Sequence, residues 1–221
     1  MKGLTLIFGK SWTGKTVRMF YELQSERRVV VVDPKCSQLA KLRGWTHLWP
    51  SFDPEQRLFA DDTLSTAFRN VKDSDFKIIV HFRHSHRESL ELFCRMILAV
   101  KHCTLAIDEL GLFVPPGPAG ALPRNITSVI VSGTHDGINV IGTAQRPSLV
   151  HGTLRANAER MLFYRITEWA DQDIVNRYLS ADFHVEALPD HVCIDWRDGK
   201  QPFIDASLAG KLGRILPNSR T

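Results

Sequence analysis

The sequence predicts an α/β fold built on a mostly parallel sheet. Three observations predict it. A GxxxxGKT run at residues 9–16 (GKSWTGKT) directly follows an apolar stretch, Leu4–Phe8. Short apolar runs alternate along the chain with segments of helical period. Residues 28–33 (RVVVVD) are apolar on both faces, as a strand covered from both sides of a parallel sheet requires. With 221 residues, 43% of them apolar, the chain can bury one substantial core. A single domain over 1–221 is expected, with a core of about 1–180 and a C-terminal extension of about 181–221.

In chain order, the strand at 4–8 leads into the glycine-rich loop. Successive N–H groups in such a loop form a concave nest for an anion, and the positive end of the next helix adds to its field. Gly9, Lys10, Ser11, Trp12, Thr13, Gly14, Lys15 and Thr16 are thus candidate contacts for a nucleoside triphosphate. Lys15 has the reach for the β/γ-phosphates, and the Thr16 hydroxyl is a candidate Mg²⁺ ligand. Val17, Phe20 and Tyr21 give the following helix its apolar face. The strand at 28–33 ends at Pro34, leaving Asp33 with two open readings: a nucleotide contact, or a polar residue closing a core strand.

Residues 46–49 predict a short strand, 62–68 part of a helix and 76–81 (FKIIVH) another strand. Leu90, Phe93, Cys94, Ile97 and Leu98 recur at helical spacing, so a helix over 86–101 packs one face on the sheet. Next, 104–109 (TLAIDE) reads as a strand delivering adjacent acids. Asp108 can hold Mg²⁺ directly or through water, and Glu109 can polarise an attacking water. Paired with the upstream loop, these acids point to ATP hydrolysis. The intervening strand at 76–81 implies that the loop's strand and the Asp108 strand are not immediate neighbours.

Residues 111–124 form a Pro/Gly-rich loop, either a surface facing a subunit or polymer or a plain connector. Pro123 suits the first turn of a helix carrying Ile126, Val129 and Ile130. The strand at 138–142 ends near Gln145, a residue placed to sense the γ-phosphate or attacking water, or to serve as a structural amide. A strand at 161–166 and a helix at 171–179 follow. Segments 192–196 and 202–204 around Asp198-Gly199 predict a C-terminal β-hairpin. The end, 211–220, is short and basic.

Composition narrows the function classes. The 28 basic and 24 acidic side chains give +4, compatible with a polyanionic partner but not decisive. Cys36, Cys94, Cys103 and Cys193 lack paired spacing, and Cys94 and Cys103 read as buried free thiols suited to a reducing compartment. His81, His84 and His86 do not match a structural zinc framework and read instead as solvated or phosphate-facing. No segment has the apolar length to span a membrane, and the N-terminal apolar stretch is too short for a signal peptide. Any membrane role needs a partner or surface contact.

The motifs GKSWTGKT at 9–16, LAIDEL at 105–110 and GINVIGTAQRP at 137–147 together resemble the FtsK–HerA superfamily of DNA-translocating ATPases. The likeness is closest to genome-packaging ATPases of internal-membrane viruses with double-stranded DNA, and the third motif discriminates. The resemblance implies a RecA-like P-loop NTPase core that takes ATP and Mg²⁺. It implies phosphate and metal roles for Lys15 and Thr16, metal-holding and catalytic roles for Asp108 and Glu109, and a sensor role for Gln145. It further implies a homo-oligomeric ring, pentamer or hexamer, moving duplex DNA, in the host cytoplasm or at a virion vertex, with capsid-vertex or membrane proteins as targeting partners. Plasmid or conjugative DNA transfer, and filamentous-phage assembly of the zonula occludens toxin type, are the alternatives. Many relatives carry arginine where this chain has Thr134, so Arg124, Arg155 and Arg160 are candidates to act on a neighbour's nucleotide. Arg83, Arg87, Lys101, the loops around Arg124 and the basic tail are candidates for sequence-independent DNA contact.

Overall fold

Nine strands join in one sheet in the computed structural model of the chain, which describes residues 3–36, 38–71, 74–82, 87–118, 121–179 and 183–209. Arg83, His84, His86, the Ala119-Gly120 pair of the Pro/Gly-rich loop and the basic tail at 211–220 lie outside the described residues. The elements run β1 (Leu4–Phe8), α1 (Lys15–Leu23), β2 (Arg28–Asp33), β3 (Thr46–Leu48), β4 (Phe52–Asp53), β5 (Leu58–Phe59), α2 (Thr63–Asn70), β6 (Phe76–His81) and α3 (Arg87–Val100). Then come β7 (Thr104–Ile107), α4 (Arg124–Ser132), β8 (Asn139–Ala144), α5 (Gly152–Ala156), β9 (Arg160–Phe163), α6 (Trp169–Asn176), β10 (Cys193–Arg197) and β11 (Phe203–Asp205).

The sheet order is β11-β10-β9-β1-β8-β7-β2-β6-β3. From β9 to β3 every neighbouring pair is parallel, while β10 pairs antiparallel with both β9 and β11. This is the predicted mostly parallel α/β sheet, consistent with a RecA-like P-loop core, and β10–β11 is the predicted C-terminal hairpin. As expected, β1 and β7 are not neighbours, but the strand between them is β8 rather than the one at 76–81. That strand, β6, lies on the far side of β2.

The period-2 alternation of the strands splits the core into two layers. Ile7, Val29, Val31, Ala106, Ile141 and Leu162 pack against Val17, Met19, Phe20 and Leu23 of α1. Leu6, Phe8, Val30, Val32, Ile107 and Val140 face the other way, onto Leu64 and Phe68 of α2, Phe93 and Ile97 of α3, and Ile126 and Val129 of α4. Each such buried aliphatic side chain stabilises the fold by roughly 1.5–3 kcal/mol. Tyr21, expected on the apolar face of α1, is exposed; Met19 and Leu23 complete that face instead. Cys94 and Cys103 are free and buried as expected, and burial pushes the Cys103 thiol up to about 12.

Several boundaries shift. Asp108 and Glu109 lie in the turn beyond β7 rather than in the strand, and Pro123 precedes α4 rather than occupying its first turn. The β4–β5 hairpin and α5 carry no sequence signal, because both are too short to show a period. Among the described residues, no helix is long and apolar enough to cross a membrane.

Candidate nucleotide-binding site

Parallel pairing brings three chemistry-bearing ends together. In register, Phe8 lies beside Ala144 and Ile107 beside Gly142. The loop after β1, Gln145 after β8 and Asp108 after β7 therefore sit along the carboxyl edge of adjacent strands, where open α/β sheets hold ligands. Residues separated by more than ninety positions in the chain meet there: Thr16 Oγ1 donates to Asp108 Oδ1 at 3.4 Å.

The loop itself is built for an anion. Gly14 caps α1 in the left-handed region (φ 106°) with no side-chain cap, so the first-turn amides of α1 have no intrahelical acceptor. The Gly9 amide donates to Ala144 O and the Lys10 amide to Arg165 O, tying the loop to β8 and to the segment after β9. Thr13 Oγ1 and Lys15 Nζ each donate to Lys10 O at 2.8 Å. Lys10, Ser11 and Trp12 are exposed, Trp12 to 84%. Burial lowers the Lys15 pKa, while Glu109 and Asp108 act to hold it charged.

The acidic side is equally ordered. Burial raises the Asp108 pKa, opposed by the Thr143 hydroxyl, which donates to Asp108 Oδ1 at 2.7 Å. Thr143 Oγ1 also accepts the Glu109 amide at 3.0 Å. That bond fixes Glu109 at φ 53°, ψ 53°, a left-handed conformation that costs a non-glycine residue roughly 1–2 kcal/mol. The Glu109 carboxylate is ion-paired with Lys35 at 3.1 Å. Among the described residues no group of three or more His, Cys, Asp or Glu is placed to hold a metal. One carboxylate beside one hydroxyl, Asp108 and Thr16, fits Mg²⁺, which keeps its waters and takes few protein ligands.

Three contributors escaped the sequence reading. Thr143 is a buried hydroxyl at the end of a largely apolar strand, which is a signal the sequence does carry. Lys35 follows β2 with no motif to mark it. His191 arrives from the C-terminal part: its amide donates to Thr13 O at 3.0 Å, and a Cβ on Gly14 would lie 2.5 Å from its Nδ1. That Nδ1 is buried and has no hydrogen-bond partner among the described residues.

Other candidates sort differently. His81 is not solvated or phosphate-facing. Parallel pairing of β6 with β2 sets it beside Asp33, and it is fully buried, with Nδ1 3.0 Å from Asp33 Oδ2. Arg160 is ion-paired with Asp195 (2.6 Å) and Glu22 (3.1 Å). Arg155 donates to Pro147 O and Val150 O. Arg124 is exposed at the start of α4 and has no partner among the described residues. Lys101 pairs with Asp136 at 2.7 Å, whereas Arg87 lines an open groove of about 490 Å³ with Arg57 and Arg95. Arg146 of the third motif pairs with the buried Asp171 at 2.6 Å, pinning α6 to the turn after β8.

The architecture matches known structures over nearly its whole length. The genome packaging NTPase B204 of Sulfolobus turreted icosahedral virus 2, solved with ATP-gammaS, superposes with a TM-score of 0.69 at 13% identity, covering 92% of this chain and 96% of that one. The chain shares the B204 fold. VirB4 of Thermoanaerobacter pseudethanolicus matches at a TM-score of 0.63 and 13% identity, over 91% of this chain and 88% of that one. The N-terminal domain of zonular occludens toxin from Neisseria meningitidis matches at 0.52 and 14% identity, over 97% and 98%. No protein-family profile matches the sequence, and no curated protein matches it. The likeness to B204 and VirB4 is thus one of backbone fold.

Proposed function

We propose that residues 1–221 form one ATP-hydrolysing motor domain that translocates double-stranded DNA, packaging a viral genome into a preformed capsid. The observation that carries this reading is the meeting of Lys15, Thr16, Asp108 and Glu109 at one sheet edge, beside the strand that leads into Gln145. In support, the fold is that of a protein described as a genome packaging NTPase and solved with ATP-gammaS.

In this reading the loop amides of residues 9–16 and Lys15 hold the ATP phosphates, Thr16 and Asp108 hold Mg²⁺, and Glu109 takes the proton of the attacking water. Mg²⁺, when bound, neutralises charge between the β- and γ-phosphates. Gln145 senses the γ-phosphate and passes its state to the third-motif turn, which Arg146 joins to α6. The motor assembles as a pentameric or hexameric ring, with Arg124 as the candidate that reaches a neighbour's nucleotide. The ring works in the host cytoplasm or at the virion vertex, guided by capsid-vertex or membrane proteins. Duplex DNA is gripped through its phosphates, with Arg87 and the loop that precedes Arg124 as candidate contacts, because packaging must tolerate every sequence.

The test is ATP turnover of the assembled protein with long duplex DNA, single-stranded DNA and RNA. Duplex should stimulate turnover, without sequence preference, and the stimulation should fall as salt rises through loss of counterion release. Indifference to all three polymers by an assembled protein would favour a nucleotide-gated assembly factor instead.

A further inference from the structure

A chain of contacts, buried at His81 and Asp33, runs from the sheet edge to Glu109. His47 on the outermost strand, β3, bonds Leu42 O through Nε2 at 2.8 Å and His81 Nε2 through Nδ1 at 3.0 Å. His81 Nδ1 meets Asp33 Oδ2, and Asp33 Oδ1 accepts the Lys35 amide at 3.1 Å. Trp49 stacks on His81 with ring centroids 4.7 Å apart. Both Asp33 oxygens are therefore engaged, one by a fully buried imidazole and one by the backbone that carries Lys35. The turn after β2 is fixed in place, and Lys35 Nζ reaches Glu109 Oε1 at 3.1 Å.

That contact has a chemical consequence. A carboxylate oxygen occupied by an ammonium is no longer open to a water, and the pair holds the carboxylate in one orientation. The backbone of Glu109 is held by Thr143, so the carboxylate cannot leave Lys35 by a shift of the main chain without breaking that bond. Release must come from rotation of either side chain, and Lys35, the more exposed of the two, has the longer and freer stem. Lys15 and Asp108 also feel the Lys35 charge, so its departure changes the balance of the whole site.

We propose that Lys35 is a positioning residue that restrains Glu109, held in place by the Asp33–His81–His47 chain, and that turnover requires it to move away. This inference rests on the hydrolysis reading above and names a regulation of the same site.

The experiment compares wild type, Lys35→Ala and Lys35→Arg as full chains, measuring kcat and KM for ATP without polymer and with duplex DNA. Lys35→Ala should raise the polymer-free kcat about two- to fivefold, the size open to a part-exposed ion pair. Its KM should stay within about twofold, because a restraint on the base leaves phosphate contacts in place. Its stimulation by duplex should shrink in proportion. Lys35→Arg keeps a cation in place and should return kcat toward wild type. Lys35→Met, which keeps most of the stem, repeats the test if the alanine variant lowers the melting temperature. A fall in kcat, a KM raised about tenfold or more (a phosphate contact), or rates equal to wild type would each overturn the restraint while leaving hydrolysis intact. A wild type that releases no phosphate under any condition overturns the hydrolysis reading, and this inference with it.

Discussion

Exchanging Lys15 for Ala should lower kcat/KM for ATP on the order of 10²-fold or more, since it removes a charge-assisted contact from a desolvated site. The ammonium is buried and anchored to Lys10 O at 2.8 Å, across the loop that carries the phosphate-facing amides. A neutral methyl there leaves the loop amides to hold the phosphates without the ammonium's counter-charge. Turnover and nucleotide affinity should fall together, because in the proposed role the lysine contacts ATP before and during reaction. Equilibrium binding of a slowly hydrolysed ATP analogue, measured beside phosphate release, checks both. The fold should survive, because the apolar contacts beneath α1 come from Val17, Met19, Phe20 and Leu23.

The second large effect separates binding from chemistry. Glu109→Gln keeps the shape of the side chain but removes its basicity, so kcat should fall by roughly 10²–10⁴-fold, the usual weight of a general base. ATP affinity should change only a few-fold, and bound ATP should persist. Single-turnover chase of labelled ATP measures this directly. Full turnover by the variant would remove Glu109 from the role of general base.

What the sequence revealed follows from where each signal lies along the chain. Lys15, Thr16 and the glycines of the loop are legible because their chemistry depends on spacing within eight residues. Asp108 and Glu109 are legible because an apolar strand ends on them. The parallel sheet is legible because residues 29–32 are apolar on both faces. Thr143, Lys35 and His191 become site residues only through long-range pairing: β7 beside β8, the fixed turn after β2, and the return of the chain after residue 183. His81 shows the same limit. A histidine ending a strand looks solvated until register places it against Asp33, 48 residues away. The place of β6 outside β2 also depends on sheet order, which no local period encodes.

Whether ATP hydrolysis by this protein moves duplex DNA is read by displacement of a third-strand oligonucleotide from a long linear duplex. Release should require ATP, tolerate any intervening sequence, decline with salt and be lost in the Glu109→Gln variant. Duplex-stimulated ATP turnover with no displaced strand, or displacement that proceeds equally without ATP, would contradict ATP-driven translocation.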